Sequence, residues 1–275
     1  MNLSSFHAGA WWFLETMSWP RVEAQFSNAE RGTGNEESPE APLAARPSHD
    51  AYGAAIQQMK LVDGVAIVPV KGALLKNAHP LAKRYGFAGY EDVAEDLIAA
   101  RAQGVRGVVL DISSPGGMAV SAGELGAFVA DFAAHTPVFS FTDSMQCSAA
   151  EYLSGACTGR FATADAIVGS IGTVMTTVSF EGMLKKEGIK AEVFASGPYK
   201  AAGHPLKDLT PAQTEYLQGF VDTLAGEFKG HMQTHRRGLG EESMQGQVFT
   251  GRQGAQNGLL DGTVRGLEEV IAFLK

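Results

Sequence analysis

The chain has 275 residues, of which 45% are apolar and 19% are charged, a composition typical of globular proteins and not of disordered or fibrous ones. Its formal charge of −8 argues against a nucleic-acid-binding surface, because such surfaces cluster Lys and Arg against phosphates. The two cysteines, Cys147 and Cys157, are too few for a disulfide framework and lack the paired spacing of a zinc site, which indicates a reducing compartment.

The N-terminal quarter of the chain separates from the rest by composition. Residues 1–26 form an apolar segment that we interpret as a docking region, and its most apolar stretch is shorter than the roughly 20 residues of a membrane span. No basic leader precedes it, so we expect neither a membrane anchor nor secretion. Residues 27–60 are rich in Gly, Glu, Asn, Pro, Ser and Ala, which predicts a flexible linker. The folded domain is therefore expected to cover residues 61–275.

The first part of the folded domain alternates strands with helices. A β-branched run at 65–70 and short apolar runs at 108–112 and 138–141 predict buried strands. Apolar residues at helical spacing predict helices over 90–103 and around 125–132. Strands separated by helices of this length are typical of a largely parallel sheet that is covered on both faces. We therefore predict an α/β fold.

The second part contains further short elements and one long helix. Thr210, Pro211 and Gln213 are typical of an N-cap, a first helical residue and a capping-box partner, and the helix that they open should end near Gly238 or Gly240. The other predicted elements are a helix at 148–156, strands near 161, at 171–178 and at 191–195, a helix around 183–187, and a last helix from about 267.

Amide hydrolysis needs a nucleophile, a base and donors for the developing oxyanion, and the first segment that can contribute is SPGG at residues 114–117. It directly follows a predicted strand, and open α/β sheets place their sites at the carboxyl ends of strands. A pair of glycines there lets the backbone approach a substrate closely. The same residues are also typical of an ordinary turn, so this motif alone decides nothing.

The second segment contains Ser148, which is expected to open a helix just after a strand. Free backbone N–H groups and the positive end of the helix dipole favour an anion at that position, which suits a nucleophile. Serines at helix starts are also ordinary N-caps. Cys147 is a competing nucleophile, although a small buried thiol is the more common role of such a cysteine.

The third segment is a loop of small residues at 196–203 that contains one lysine, Lys200. A general base must be uncharged to accept a proton, and a lysine with its ordinary pKa of roughly 10.4 becomes so only when it is desolvated. Tyr199, Ala201 and Ala202 are the neighbours that can exclude water. Considered alone, such a lysine is more often a solvated surface charge.

Histidine offers an alternative base, but the seven histidines are poorly placed. None lies between residues 136 and 203, and His135 and His204 are the nearest on either side. A His-based triad stays open because triads are set by geometry and not by sequence order. His231 and His235 have the spacing of metal ligands on a helix, yet no HExxH pattern surrounds them. We therefore expect no metal and no cofactor.

Taken together, the three segments resemble the signal-peptide peptidase A (S49) family of serine peptidases over residues 62–266. Members carry SPGG after a strand, a nucleophilic serine that opens a helix, a GSIG segment and a later lysine in a small-residue loop. Here these are residues 114–117, Ser148, residues 169–172 and Lys200. The resemblance implies the Clp protease/crotonase-like fold, with a mostly parallel sheet and flanking helices.

Residue by residue, the resemblance implies a Ser/Lys dyad. Ser148 would attack the peptide carbonyl, Lys200 would take its proton, and Ser170 would hold the lysine amine by a hydrogen bond. The implied oxyanion donors are backbone N–H groups of Gly116 or Gly117 and of Ala149.

Within the family, the chain looks most like phage head-maturation proteases. Bacterial membrane enzymes tend to have Ser-Gly-Gly-Tyr where this chain has SAAE at residues 148–151, whereas Cys147, GSIGTVM at 169–175 and the Ser-Gly lead into Lys200 resemble the phage subgroup. That subgroup implies capsid scaffold and portal proteins as substrates, in the host cytoplasm or the prohead. Many such proteins continue into a scaffold segment, so here the scaffold is either a separate product or the chain is a domain-length version.

The resemblance also implies a homo-oligomer, and alternative functions stay open beside the proposed one. In the wider family one active site can combine Ser and Lys from neighbouring subunits or from tandem halves, and this chain holds one copy of the fold, so we expect a homo-oligomer with sites at subunit interfaces. The rivals are a cytoplasmic signal-peptide-peptidase-like protease, an inactive crotonase-like module that binds peptides, and an acyl-CoA enzyme of the crotonase type.

Overall fold

The computed structural model describes residues 58–275. The predicted docking segment 1–26 and almost all of the predicted linker 27–60 therefore lie outside the described residues. The described chain divides into two compact units. The smaller unit is Thr173–Glu227, and the larger unit combines residues 58–172 with Phe228–Lys275.

The larger unit contains the strands and most of the helices. Its strands are β1 (Lys60–Val62), β2 (Val65–Lys71), β3 (Ala73–Leu75), β4 (Phe87–Gly89), β5 (Gly107–Ser113), β6 (Val138–Thr142), β7 (Met145–Cys147), β8 (Gly159–Ala162), β9 (Ile167–Gly169), β10 (Val248–Thr250) and β11 (Gly262–Thr263). Its α-helices are α1 (Pro80–Arg84), α2 (Tyr90–Ala102), α3 (Ala122–Ala133), α4 (Ala149–Gly155), α7 (Gly251–Gln256) and α8 (Leu267–Ala272), and a 3₁₀ turn covers Glu241–Ser243. The smaller unit contains α5 (Glu181–Lys186) and the start of α6 (Pro211–His235).

The main sheet of the larger unit has six strands in the order β1-β2-β5-β6-β8-β11. Only β1 runs antiparallel to its neighbour, and the other four pairings are parallel. Central strands such as β2 and β5 are apolar along nearly their whole length because both of their faces are covered. The prediction of an α/β fold with a mainly parallel sheet is confirmed.

Alternate residues of the central strands pack into two different cores. Val68 of β2 and Leu110 of β5 face α2, α3 and α4, and Leu97, Val129 and Leu153 on those helices complete a buried cluster. Alternate residues of the same strands, Val65 and Ile67 of β2 and Val109 of β5, point to the opposite face. There they form a second buried cluster with Val270 and Ile271 of α8. Burial of each such side chain stabilises the fold by roughly 1.5–3 kcal/mol.

A second sheet of three short strands, in the order β10-β9-β7, carries the ends of the loops discussed below. Strands β7 and β9 are parallel, and β10 pairs antiparallel with β9. Because these strands have only three residues each, the sequence pattern did not predict them. The sheet fixes the backbone immediately before residues 148 and 170.

Two predicted strands, which fall mostly in the smaller unit, are not found. Residues 171–178 and 191–195 were expected to be strands, but neither segment forms one. The physical reason is that no strand of the described chain pairs with either segment, and several of their apolar side chains are exposed instead, including Val174, Val178 and Phe194. Both predictions of a strand are wrong for this single chain.

The predicted long helix is confirmed, together with its first turn. Helix α6 begins at Pro211, and Thr210 and Gln213 exchange the two hydrogen bonds of a capping box at 3.3 and 3.1 Å. The helix ends three residues before Gly238, whose φ is +100°. Among residues 58–275, no helix combines the length and the apolar character that crossing a bilayer would require.

Candidate active site

Ser148 lies in a strained turn between β7 and α4. Its φ is +52° and its ψ is −121°, a region that costs a residue with a side chain on the order of 1–3 kcal/mol. Two backbone hydrogen bonds hold the turn, from the Ser148 N–H to the Gly169 carbonyl and from the Tyr152 N–H to the Ser148 carbonyl, both at 2.9 Å. Ser148 occupies the N-cap position, but its side chain makes no capping hydrogen bond, so its hydroxyl is not used as an ordinary cap.

The SPGG loop packs directly against this turn. Backbone hydrogen bonds join Ser114 to both ends of β7, from its N–H to the Met145 carbonyl at 2.8 Å and from the Cys147 N–H to its carbonyl at 3.1 Å. A Cβ at Gly116 would lie only 2.5 Å from the Ser148 Cβ, and the φ of Gly116 is +105°. Only glycine can therefore occupy this position without displacing the serine.

Two backbone N–H groups beside Ser148 remain available as donors. Gly116 is not one of them, because its N–H donates to Ser114 Oγ at 3.2 Å. The backbone on either side of Gly117 bonds to Leu74 of β3, and the alternation of extended backbone directs the Gly117 N–H away from that strand. Within residues 58–275, neither the Gly117 N–H nor the Ala149 N–H donates a hydrogen bond.

Ser170 occupies a second strained position in the same unit. Its φ is +55° and it follows Gly169, whose φ is +111°. Its N–H donates to the Gln247 carbonyl at 2.8 Å, while the Gly169 carbonyl receives the Ser148 N–H. Ser170 is therefore one residue away from the carbonyl that anchors the Ser148 turn. The larger unit thus brings together the SPGG loop, Ser148 and Ser170, three segments that the sequence analysis selected.

Lys200 lies in the smaller unit, in a turn that is fixed to the start of α6. Its N–H donates to the Gly197 carbonyl at 3.2 Å, and Gln213 Nε2 donates to the Pro198 carbonyl at 2.6 Å. The ring centroids of Tyr199 and Tyr216 are 4.9 Å apart.

The expected desolvation of Lys200 by its neighbours is not found in the single chain. Ala202 is buried, but Tyr199 is 47% exposed and Lys200 itself is exposed. A lysine in that environment is not stripped of water by its own loop, which corrects the expectation drawn from Tyr199, Ala201 and Ala202.

Cys147 is excluded as a competing nucleophile by its surroundings. It is 6% exposed, and burial, reinforced by the nearby Glu151 carboxylate, raises the pKa of its thiol to about 12. The thiolate is the nucleophilic form of cysteine, so Cys147 is an inert thiol near neutral pH. Its Sγ lies 3.8 Å from the Ile167 carbonyl, consistent with a packing role.

The two histidines of α6 are His231 and His235, and His231 packs against α4, the helix that follows Ser148. His231 Nε2 lies 2.9 Å from the Tyr152 carbonyl, and its ring stacks on the Tyr152 ring with centroids 4.1 Å apart. Burial lowers the pKa of His231 to about 4, helped by the neighbouring His235. In the part of the chain that the structure describes, no group of three or more His, Cys, Asp or Glu side chains is placed to hold a metal ion.

A buried polar cluster next to the Ser148 turn was not predicted from the sequence. Glu151 of α4, Arg160 of β8 and Gln146 of β7 all have zero exposure, and Glu151 accepts hydrogen bonds from both partners. The signal was present, because Glu and Arg inside otherwise apolar elements are almost never fully buried unless they are paired. By motif comparison alone, Glu151 is only a departure from the family pattern.

A serine held at positive φ where a strand meets a helix, with unused backbone N–H groups beside it, is the arrangement typical of serine hydrolases that form acyl intermediates. Comparison with known proteins agrees with this class. The model of peptidase family S49 matches residues 130–275. The chain belongs to this family, and the predicted resemblance is confirmed.

Several relatives are named proteases or phage head proteins. The chain is 32% identical over 206 residues to the head-tail preconnector protein GP5 of Enterobacteria phage P21, covering 74% of this chain and 41% of that protein. It is 28% identical over 215 residues to the capsid assembly protease C of Escherichia phage lambda, covering 77% and 49%. The chloroplastic serine protease SPPA of Arabidopsis thaliana is 25% identical over 218 residues, covering 78% and 32%.

The chain spans less than half of the length of each of these relatives. Among solved structures, a variant of the 1510-N membrane-bound stomatin-specific protease aligns with a TM-score of 0.41 and 11% identity, covering 76% of this chain and 83% of that one.

Proposed function

We propose that this chain is a serine endopeptidase in which Ser148 is the nucleophile and Lys200 the general base. The observation that carries the proposal is the Ser148 turn. The backbone of Ser148 has a positive φ, and its Cβ packs against Gly116. The N–H groups of Gly117 and Ala149 donate no hydrogen bond within the described residues. Strain of this kind is retained where the surrounding structure enforces it for function.

The proposed reaction proceeds in two acyl-transfer steps. The neutral amine of Lys200 takes the proton of Ser148 Oγ while Oγ bonds to the peptide carbonyl carbon. The oxyanion that forms accepts hydrogen bonds from the N–H groups of Gly117 and Ala149. The C–N bond then breaks and the leaving amine takes the proton from Lys200. Water, deprotonated by the same lysine, hydrolyses the ester and restores Ser148. Ser170 would orient the lysine amine by a hydrogen bond.

We also propose the bounds of the peptidase domain and the fold type to which it belongs. Residues 61–275 would form one Ser/Lys peptidase domain of the Clp protease/crotonase-like type. What supports it is the mainly parallel sheet with helices on both faces and the S49 match over residues 130–275.

Exposure of Lys200 adds a requirement for a second copy of the chain. A lysine base must lose its water to become neutral at ordinary pH, and its own loop does not exclude water. The smaller unit also presents large apolar side chains to solvent: Val174, Val178, Met183, Ile189, Phe194, Tyr199, Tyr216 and Phe220. Large apolar side chains left exposed together in one small unit are typical of protein interaction surfaces. We therefore propose a homo-oligomer in which a neighbouring subunit covers this surface and desolvates the lysine.

The oligomer is tested by light scattering on the parent and on Phe194→Ser, because Phe194 is 90% exposed and its loss should not affect the folding of one chain. We expect a multimeric parent, and a variant with smaller mass and lower activity at equal thermal stability. A strictly monomeric parent with full activity would refute the proposal.

For substrates, we propose capsid scaffold and portal proteins, cut in the host cytoplasm or inside the prohead. The support comes from the relatives, whose names describe a capsid assembly protease and a head-tail preconnector protein. A general signal-peptide-peptidase-like role is the second candidate, favoured by the similarity to the chloroplastic serine protease. The two differ in substrate and not in chemistry.

The experiment that tests the activity is a processing assay read by intact mass. The parent, Ser148→Ala, Lys200→Ala and Ser170→Ala are each incubated with a casein-like substrate and with a scaffold protein. We expect fragments from the parent, none from the first two variants, and slower cleavage by the third. If the parent cuts nothing over a range of pH, the chain is an inactive binding module of the same fold.

A further inference from the structure

A buried ion pair lies directly behind the nucleophile turn. Glu151, the third residue of α4, accepts a hydrogen bond from Arg160 Nη2 at Oε1 and one from Gln146 Nε2 at Oε2, the latter at 3.0 Å. All three side chains have zero exposure. No substrate can reach them, so any effect on the reaction must act through the residues that they hold.

The contacts of Glu151 bracket Ser148 on both sides. Gln146 precedes the serine by two residues on β7, and Glu151 follows it by three on α4. The hydrogen bond between their side chains therefore closes a short loop around the strained residue. Arg160 ties this loop to β8, a strand of the main sheet.

Fold stability does not explain the cluster well. Among the described residues, Arg160 Nε and Nη1 and Gln146 Oε1 are buried without any hydrogen-bond partner. Buried ion pairs with unsatisfied donors rarely stabilise a protein more than apolar residues of the same volume would. What the cluster does provide is a fixed geometry on either side of a residue that would otherwise relax to negative φ.

We propose that Glu151 is a positioning residue for the proposed reaction, held by Arg160 and linked to Gln146. This link keeps Ser148 in its strained conformation, with its hydroxyl free of a capping hydrogen bond and available for attack. The inference rests on the proposed function for its kinetic consequence. Its structural consequence, the rigidity of the Ser148 turn, can be measured without any activity.

The test uses replacements that avoid leaving an unpaired buried charge. Glu151→Met combined with Arg160→Met replaces the pair by apolar side chains of similar length, which the fold should tolerate. Glu151→Gln combined with Arg160→Met restores an amide beside Gln146 and serves as the rescue. Leu97→Ala, at a fully buried side chain of α2, is the control for a general loss of stability.

Kinetically, we expect the double methionine variant to keep the KM and the melting temperature of the parent within a few degrees, and to lose at least about tenfold in kcat, as for small misplacements of reacting groups. The Glu151→Gln/Arg160→Met variant should recover most of that loss. Leu97→Ala should melt earlier and keep its kcat. Parental kcat in the double methionine variant would overturn the proposal.

Hydrogen exchange supplies the readout that does not depend on activity. The Ser148 and Tyr152 amides donate to the Gly169 and Ser148 carbonyls, so they report the turn itself. We expect both to exchange at least about tenfold faster in the double methionine variant, with no such local change in Leu97→Ala. If the parent proves inactive but this local loss of protection is seen, the proposed function fails and the positioning role stands. Unchanged protection of both amides would refute that role.

Discussion

Replacement of Gly116 by alanine tests the packing of the SPGG loop against the nucleophile. The added Cβ would lie 2.5 Å from the Ser148 Cβ, and 2.9 Å from both the Ala149 nitrogen and the Cys147 carbonyl oxygen. Two of these three atoms are backbone and the third is the first side-chain carbon, so none can move as a flexible side chain could. To reach the ordinary contact range that starts at 3.4 Å, Ser148 must shift by about 1 Å.

The size of the effect follows from that shift. A displacement of about 1 Å at a reacting group costs on the order of 100-fold in rate. Stability should fall as well, by about 1–2 kcal/mol for an alanine at positive φ and by another ~1–3 kcal/mol for overpacking.

The matched control for this variant is Gly238→Ala. Gly238 has a φ of +100°, close to the +105° of Gly116, and nothing lies within 4 Å of the Cβ that it would gain. Both variants therefore place an alanine at nearly the same unfavourable φ, and only Gly116→Ala also displaces Ser148. Cleavage rates and urea unfolding are measured side by side. Equal activity of the two variants would refute the packing argument.

Two further variants probe groups around the same turn. Cys147→Ala should keep kcat/KM within roughly threefold of the parent, because a buried thiol is not a nucleophile, and a loss as large as that of Ser148→Ala would contradict this. His231→Phe should reduce the pH dependence of stability. His231 has its ordinary pKa of 6.5 in the unfolded chain and a pKa of about 4 in the folded chain. Between these pH values the unfolded chain binds more protons, so the parent loses stability as the pH falls from 6.5 to 4. Urea unfolding across that window should show a shallower slope in His231→Phe than in the parent, and identical slopes would contradict the assignment.

The sequence predicted the main sheet and its helices because their signals are long and periodic. The continuous apolar runs of β2 and β5 mark strands that are buried on both faces, and the capping box at Thr210 marks the start of α6. Motif order selected the SPGG loop, Ser148 and Ser170, and the structure places these three in one compact unit.

Other features could not be predicted from one sequence. An apolar, β-branched run indicates extended backbone but not its partner, so residues 171–178 were assigned as a strand that nothing in the described chain pairs with. The pairing of Glu151 with Arg160 depends on tertiary contact between a helix and a strand. The choice between Gly116 and Gly117 as oxyanion donor depends on a local hydrogen bond that the sequence does not reveal. The Gly116 N–H donates to Ser114 Oγ, so it is not free to bind an oxyanion.

The central claim, that Ser148 is an activated nucleophile, is tested most directly by covalent labelling. The parent, Ser148→Ala and Lys200→Ala are treated with a fluorophosphonate at several pH values, digested, and mapped by mass spectrometry. We expect a single phosphonylated peptide that contains Ser148 in the parent, no adduct in Ser148→Ala, and strongly slowed labelling in Lys200→Ala. Labelling of another residue, or equal labelling of the parent and Lys200→Ala, would contradict the claim.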